Sequence, residues 1–91
     1  MGPGRLRIPD DVARLIRGLH PDLKKKVRAA VQAILNDPCS GKALKEELEG
    51  LRSYRVGRFR IIYRSKTDLI DIVAIGPRRV IYIETYRRIR G

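Results

Sequence analysis

Cysteine and histidine are almost missing from this 91-residue chain, which has one of each, Cys39 and His20. One cysteine excludes a disulfide framework within the chain, and these two ligands cannot complete a zinc site of ordinary coordination. No metal or other cofactor is expected. A Cys39–His20 nucleophilic pair would have to join a turn-like stretch, "NDPCSGK", to a corner between helices. His20 precedes Pro21 there and reads instead as a cap or surface residue. Long apolar runs are absent too: none approaches the ~20 residues that span a bilayer. The start, "MGPGRLRIPDD", has no apolar region of a secretory signal, and Leu6 stands where myristoylation needs Ser or Thr. A cytoplasmic location without membrane partners is therefore expected. Internal repeats and low-complexity segments are not visible.

Acidic residues are scarce. Ten Asp and Glu face 21 Lys and Arg, a net charge of +11. Such a field concentrates polyanions around the protein and speeds encounter with them. Nucleic acid is the first partner class to consider and an acidic protein the second. A membrane surface comes third, because no basic amphipathic helix dominates.

What remains suffices for a core. Apolar residues make up 43% of the chain, too many for a disordered tail. Residues 1–91 are expected to form one domain, which at this size buries roughly 60–65% of its unfolded surface.

The apolar period changes along the chain. "RLRI", Arg5–Ile8, fits a short first strand. "PDDVARLIRGL" has Pro9 and two aspartates in its first turn, and Val12, Leu15, Ile16 and Leu19 form one helical stripe. "HPDLKKKVRAAVQAILNDP" restarts at Pro21-Asp22, with Leu23, Val27, Ala30, Val31 and Ile34 as a second stripe. Together they predict an αα-hairpin, with Lys24–Lys26 on a solvated face. "CSGKALKEELEGL" reads as a loop with one helical turn. From Arg52 the period is that of strands: "RSYRV", "RFRIIYRS" and "LIDIVAIG", separated by Gly57 and "KTD", predict a three-stranded antiparallel meander. Ile61-Ile62 and the run Ile70–Ile75 suggest strands buried on both faces. The tail "YIETYRRIRG" fits a last strand or helix.

Arginines interrupt these strands, and a guanidinium within a sheet is costly unless something anionic compensates it. Alternation puts Phe59, Ile61 and Tyr63 on one face of their strand and Arg58, Arg60, Ile62 and Arg64 on the other. If the first set packs on the helices, Arg55 and Arg60 point to an open face. Gly76-Pro77 then turns the chain and delivers Arg78 and Arg79, with Tyr82 close behind. A concave face of guanidiniums and a phenol suits a phosphodiester, because arginine gives planar bidentate donors and tyrosine can stack on a base or exchange a proton. The plainer reading is a half-exposed sheet with surface arginines, and with Tyr63 and Tyr82 in its core.

The string "LKEELEGLRSYRVGRFRIIYR…IDIVAIGPRRVIY" resembles the RelE/ParE superfamily of bacterial and archaeal toxin–antitoxin toxins. The similarity lies in Leu44-Lys45 through Leu51, in Arg55 to Tyr63, in Ile75-Gly76-Pro77-Arg78 and in Tyr82, and it covers Leu6 to Ile83. Each motif is short; the four in order at this spacing are fairly specific. The resemblance implies an α+β fold, an N-terminal αα-hairpin packed on a small twisted antiparallel sheet.

It also implies an activity. RelE-like toxins are endoribonucleases (mRNA interferases) that cleave mRNA in the ribosomal A site and so inhibit translation. The 2′-hydroxyl attacks the adjacent phosphate, with basic side chains in place of a histidine pair. By position, Arg60 and Arg78 would bind the scissile phosphate and Tyr82 would sit at the reacting nucleotide. Arg55, which the resemblance makes a catalytic candidate beside Arg60, Arg78 and Tyr82, falls where relatives carry a lysine. Ser53 falls where they carry another, a departure that leaves the general base open, with Lys45 or Arg58 as compensating candidates. Lys45, Arg58 and Arg79 are the further RNA-binding candidates, Arg58 and Arg79 serving ribosomal RNA contacts or solubility. The ParE-like branch implies instead a non-enzymatic inhibitor of DNA gyrase, and a basic RNA-binding module without catalysis is the third reading. The partners implied are a cognate antitoxin, acidic where it meets this face, and the ribosome with its mRNA.

Overall fold

Strand period from Arg52 onward becomes a meander at the centre of the molecule. The computed structural model describes residues 5–90, apart from the side chains of Arg78 and Arg79. Residues 1–4, read above for targeting signals, and Gly91 lie outside the described part. The elements in order are β1 (Arg5–Arg7), α1 (Asp10–Arg17), α2 (Pro21–Asn36), β2 (Lys42–Ala43), β3 (Arg52–Val56), β4 (Phe59–Lys66), β5 (Leu69–Pro77) and α3 (Arg78–Arg90). A short 3₁₀ turn, Glu46–Leu48, precedes β3.

The expected antiparallel meander β3-β4-β5 is present, and two short edge strands extend it. Sheet order is β1-β5-β4-β3-β2, with β2 antiparallel to β3 and β1 parallel to β5. The sheet is thus mixed. The segment read as a loop with one turn also holds β2. Each hairpin closes in two residues: Val56 pairs with Phe59 around Gly57-Arg58, and Lys66 with Leu69 around Thr67-Asp68. Gly57 has φ +59°, the positive value that a two-residue hairpin places most cheaply on glycine.

A bulge lets β5 serve two cores. Ile62 pairs with Ala74 but Tyr63 pairs with Ile72, so Val73 is an extra residue in its strand. Ile70 and Ile72 before the bulge, and Ile75 after it, all pack with Val12, Val27, Ala30 and Ile34 of the αα-hairpin. Ala74 joins Leu51, Ile62 and Ile81 in a second cluster, beneath α3. Each isoleucine buried this way contributes about 1.5–3 kcal/mol. The face expected to be open therefore carries a helix. The tail from Tyr82, which fits a strand or a helix, is helical and continues α3, and Ile81 just before it seats that helix on the sheet.

Tyr63 joins the sheet to the loop after α2. It is fully buried. Its hydroxyl donates to Pro38 O at 2.7 Å and accepts from Gly41 N–H at 3.0 Å. Arg52 Nη1 donates to Gly41 O at 2.8 Å. A Cβ on Gly41 would lie 2.7 Å from the Tyr63 hydroxyl, so only glycine fits there. Burial pushes the Tyr63 phenol up from its ordinary value, with the Gly41 hydrogen bond pulling the other way. Because the folded state holds this proton longer than the unfolded chain, its stabilisation is intact below the ordinary phenol pKa of about 10 and is lost as pH rises beyond that. Urea denaturation between neutral and strongly alkaline pH should show that loss, and Tyr63→Phe should flatten it. An equally steep alkaline loss in Tyr63→Phe would assign it to other groups.

Candidate functional site

On the β3–β4 ladder, Arg55 and Arg60 stand directly opposite each other. Like charges in that relation destabilise a sheet. The two side chains separate. Arg55 is exposed, and its Nε donates to Gly57 O, in the turn of its own hairpin, at 3.4 Å. Arg60, half-buried, reaches along the ladder to Ser53, where its Nη1 donates to Oγ at 3.3 Å. Ser53 is only 3% exposed.

Helix α3 supplies the third member. Ile81 anchors its first turn in the cluster with Leu51, Ile62 and Ala74. Gly76, opposite Arg60 on β5, allows that approach: a Cβ there would come within 3.2 Å of Ile81 Cδ1. The next residue, Tyr82, brings its hydroxyl to 3.3 Å from Ser53 Oγ. Ser53 thus links a strand guanidinium to a helix phenol, and both partners are half-buried.

Of the residues singled out from the sequence, Arg60 and Tyr82 come together, joined by Ser53. Arg55 shares their ladder but turns toward the hairpin tip, where Arg58 is exposed. Lys45 is exposed at the start of the 3₁₀ turn. Arg78 and Arg79 are the first two residues of α3, and their side chains lie outside the described part. His20 caps α2, its Nδ1 accepting Asp22 N–H at 3.3 Å. Exposed Cys39 follows the far end of that helix, and 16 residues of helix span about 24 Å, so the two do not form a pair.

Two features escaped the sequence reading. Ser53 appeared there only as a departure from a pattern, yet it is the hub of the cluster. The Arg88–Asp11 ion pair, which ties α3 to α1 across 77 positions, has no local signal at all.

Chemically, the cluster presents donors. A guanidinium cannot accept a hydrogen bond and stays charged at every working pH, so an anionic oxygen is the natural ligand beside it. Among the described residues no group of three or more His, Cys, Asp or Glu could hold a metal ion, and no helix is long and apolar enough to cross a membrane.

Comparison with known proteins identifies the family of this fold. The family model for the ParE toxin of type II toxin–antitoxin system, parDE, matches residues 7–82. Among solved structures, the toxin–antitoxin complex RelBE2 from Mycobacterium tuberculosis is similar at 28% identity and TM-score 0.72, covering 84% of this chain and 99% of the relative's. E. coli toxin RelE, solved in the free state as a double arginine-to-alanine mutant, gives TM-score 0.76 at 13% identity over 97% of this chain and 94% of its own. The RelE–RelB complex from Pyrococcus horikoshii gives 0.67 at 21% identity over 86% and 97%. The last two likenesses are of fold. No curated protein sequence matches the chain. The family match runs from β1 into α3 and takes in Ser53, Arg60 and Tyr82, so the chain belongs to the ParE toxin family within the RelE/ParE superfamily and is a toxin of a type II toxin–antitoxin system.

Proposed function

We propose that this toxin is a ribosome-dependent endoribonuclease that cuts mRNA in the A site, held inactive by a cognate antitoxin. The observation that carries the reading is the Arg60–Ser53–Tyr82 chain, which holds a permanent cation and a phenol together at a half-buried position. In the reaction the 2′-hydroxyl gives up its proton as its oxygen attacks the adjacent phosphorus. The bond to the 5′-oxygen breaks as that oxygen takes up a proton and leaves as a hydroxyl, and negative charge develops on the phosphate oxygens in between. In this reading Arg60 and Arg78 stabilise that charge, and Tyr82 meets the reacting nucleotide. Arg55, on the same ladder as Arg60, is the fourth catalytic candidate of this reading, and Lys45, Arg58 and Arg79 are its further RNA-binding residues. The whole-chain charge of +11 favours a polyanionic substrate and an acidic antitoxin alike. The relatives from M. tuberculosis and P. horikoshii are themselves toxin–antitoxin complexes.

A second reading is favoured by the family match to ParE toxins: non-enzymatic inhibition of DNA gyrase through the same scaffold. Primer extension on a defined mRNA in a reconstituted translation reaction, with and without ribosomes, separates the two when a gyrase supercoiling assay runs beside it. Cuts that require ribosomes are the expected result. Intact mRNA with inhibited gyrase would replace this proposal with the second reading.

A further inference from the structure

Hydrogen-bond accounting around Ser53 fixes the direction of a proton. Arg60 has only donors, so in the 3.3 Å contact Ser53 Oγ accepts. Ser53 has one hydroxyl proton of its own and is almost fully buried. Its other side-chain contact is the Tyr82 hydroxyl, also at 3.3 Å, where geometry alone allows either oxygen to donate. If Tyr82 donated, Ser53 Oγ would accept twice, and its own O–H would face a buried region with no side-chain acceptor among the described contacts. An unmet buried donor is costly. In the opposite order every group is satisfied: Arg60 donates to Ser53, Ser53 donates to Tyr82, and the half-buried phenol turns its proton outward. Each bond in such a chain also polarises the next, so the arginine's charge strengthens the last donor.

We infer that Ser53 is a positioning residue that sets Tyr82 as an outward hydrogen-bond donor, making Arg60 and Tyr82 a donor-only seat for a phosphodiester oxygen. The ligand rests on the ribonuclease reading; the proton order rests on the contacts alone. Tyr82 then binds a phosphate oxygen through its proton and does not receive one from the substrate's 2′-hydroxyl. Ser53 is the part that makes this choice, although it touches no substrate.

The test uses the full chain and a single-stranded RNA oligonucleotide carrying 2′-O-methyl groups throughout, which cannot be cleaved. Its affinity is measured by fluorescence anisotropy for the wild type, Ser53→Ala, Ser53→Thr, Tyr82→Phe and the Ser53→Ala/Tyr82→Phe double variant. Removing the Tyr82 hydroxyl should weaken binding about tenfold, the effect of one hydrogen bond to a charged group. Ser53→Ala should weaken it comparably but cost clearly less in the Tyr82→Phe background, while Ser53→Thr, which keeps the hydroxyl, stays within about twofold of wild type. Ultraviolet resonance Raman spectra of the free protein, taken as differences from Tyr82→Phe, report whether this phenol accepts a bond, and Ser53→Ala should remove that signature. Additive binding losses together with an unchanged phenol signature would overturn the inference. A signature that responds as expected, in a protein that binds this RNA in no form, would uphold the role of Ser53 and overturn the phosphodiester seat, while ribosome-dependent cleavage stands or falls with the primer-extension assay.

Discussion

Arg60→Ala should lower RNA cleavage by on the order of 10²–10³-fold while the protein stays folded, the usual effect of deleting one donor aimed at developing charge. Arg60 sits on a central strand, half-buried between its partners Arg55 and Gly76, so the backbone places it within narrow limits. Its side chain is held at one nitrogen by Ser53, and among the described residues its other N–H groups have no side-chain partner and can meet a ligand. Truncation also relieves the repulsion with Arg55 across the ladder, so stability should hold or rise slightly. Arg60→Lys should restore little, because an ammonium is a point charge and cannot give two parallel bonds to one phosphate. Single-turnover cleavage on programmed ribosomes measures the rate, and thermal melting checks the fold. A folded Arg60→Ala protein that cuts at the wild-type rate would remove this sheet face from the chemistry.

Ile81→Ala should be the most damaging single truncation in α3, costing about 2–5 kcal/mol. Ile81 is 1% exposed and fills the space between Leu51, Ile62, Ala74 and the Gly76 backbone. Among the described residues Ile81 is the one buried apolar side chain of this helix. Val80, Ile83 and Ile89 are exposed, and Arg87, Arg88 and Arg90 crowd its last turn. The Arg88–Asp11 pair is partly solvated at both ends, so Arg88→Ala should cost only about 0–1 kcal/mol. Thr85 is fully buried and its hydroxyl has no partner among the described residues, so Thr85→Val should cost nothing and gain stability. Against a total of about 5–15 kcal/mol for a domain, the Ile81 loss is large. Denaturant unfolding gives the global value, and amide hydrogen exchange along α3 shows whether the helix detaches first. Unchanged exchange in α3 would mean that contacts other than Ile81 hold it.

The two predictions are linked through Tyr82, which reaches Ser53 only because Ile81 seats the helix. A loosened α3 should therefore weaken the site even with Arg60 in place.

Much of this was legible in the residues themselves, wherever a local rule operates. Helical stripes from Val12 to Leu19 and from Leu23 to Ile34 report which side must leave water, and strand alternation from Arg52 to Ile75 does the same with a period of two. Alternation also placed Arg60 opposite Ile61 and Tyr63, and Gly57 marked its turn. Two-residue β2, the parallel pairing of β1 with β5 and the bulge at Val73 carry no such mark. They depend on which neighbour a short segment finds, and a bulge changes the face of every residue after it.

The site divides along the same line. The chain by itself determined the charge, the arginines on one strand face, the lack of a histidine pair and the family pattern. Tertiary structure decided that this face is not open: α3 folds over it, held by Ile81 and tied by Arg88 to Asp11. It also decided that Ser53, Arg60 and Tyr82 meet while Arg55 turns away. The physical reason is distance along the chain: Ser53 and Tyr82 are 29 positions apart, and only packing makes their hydroxyls neighbours.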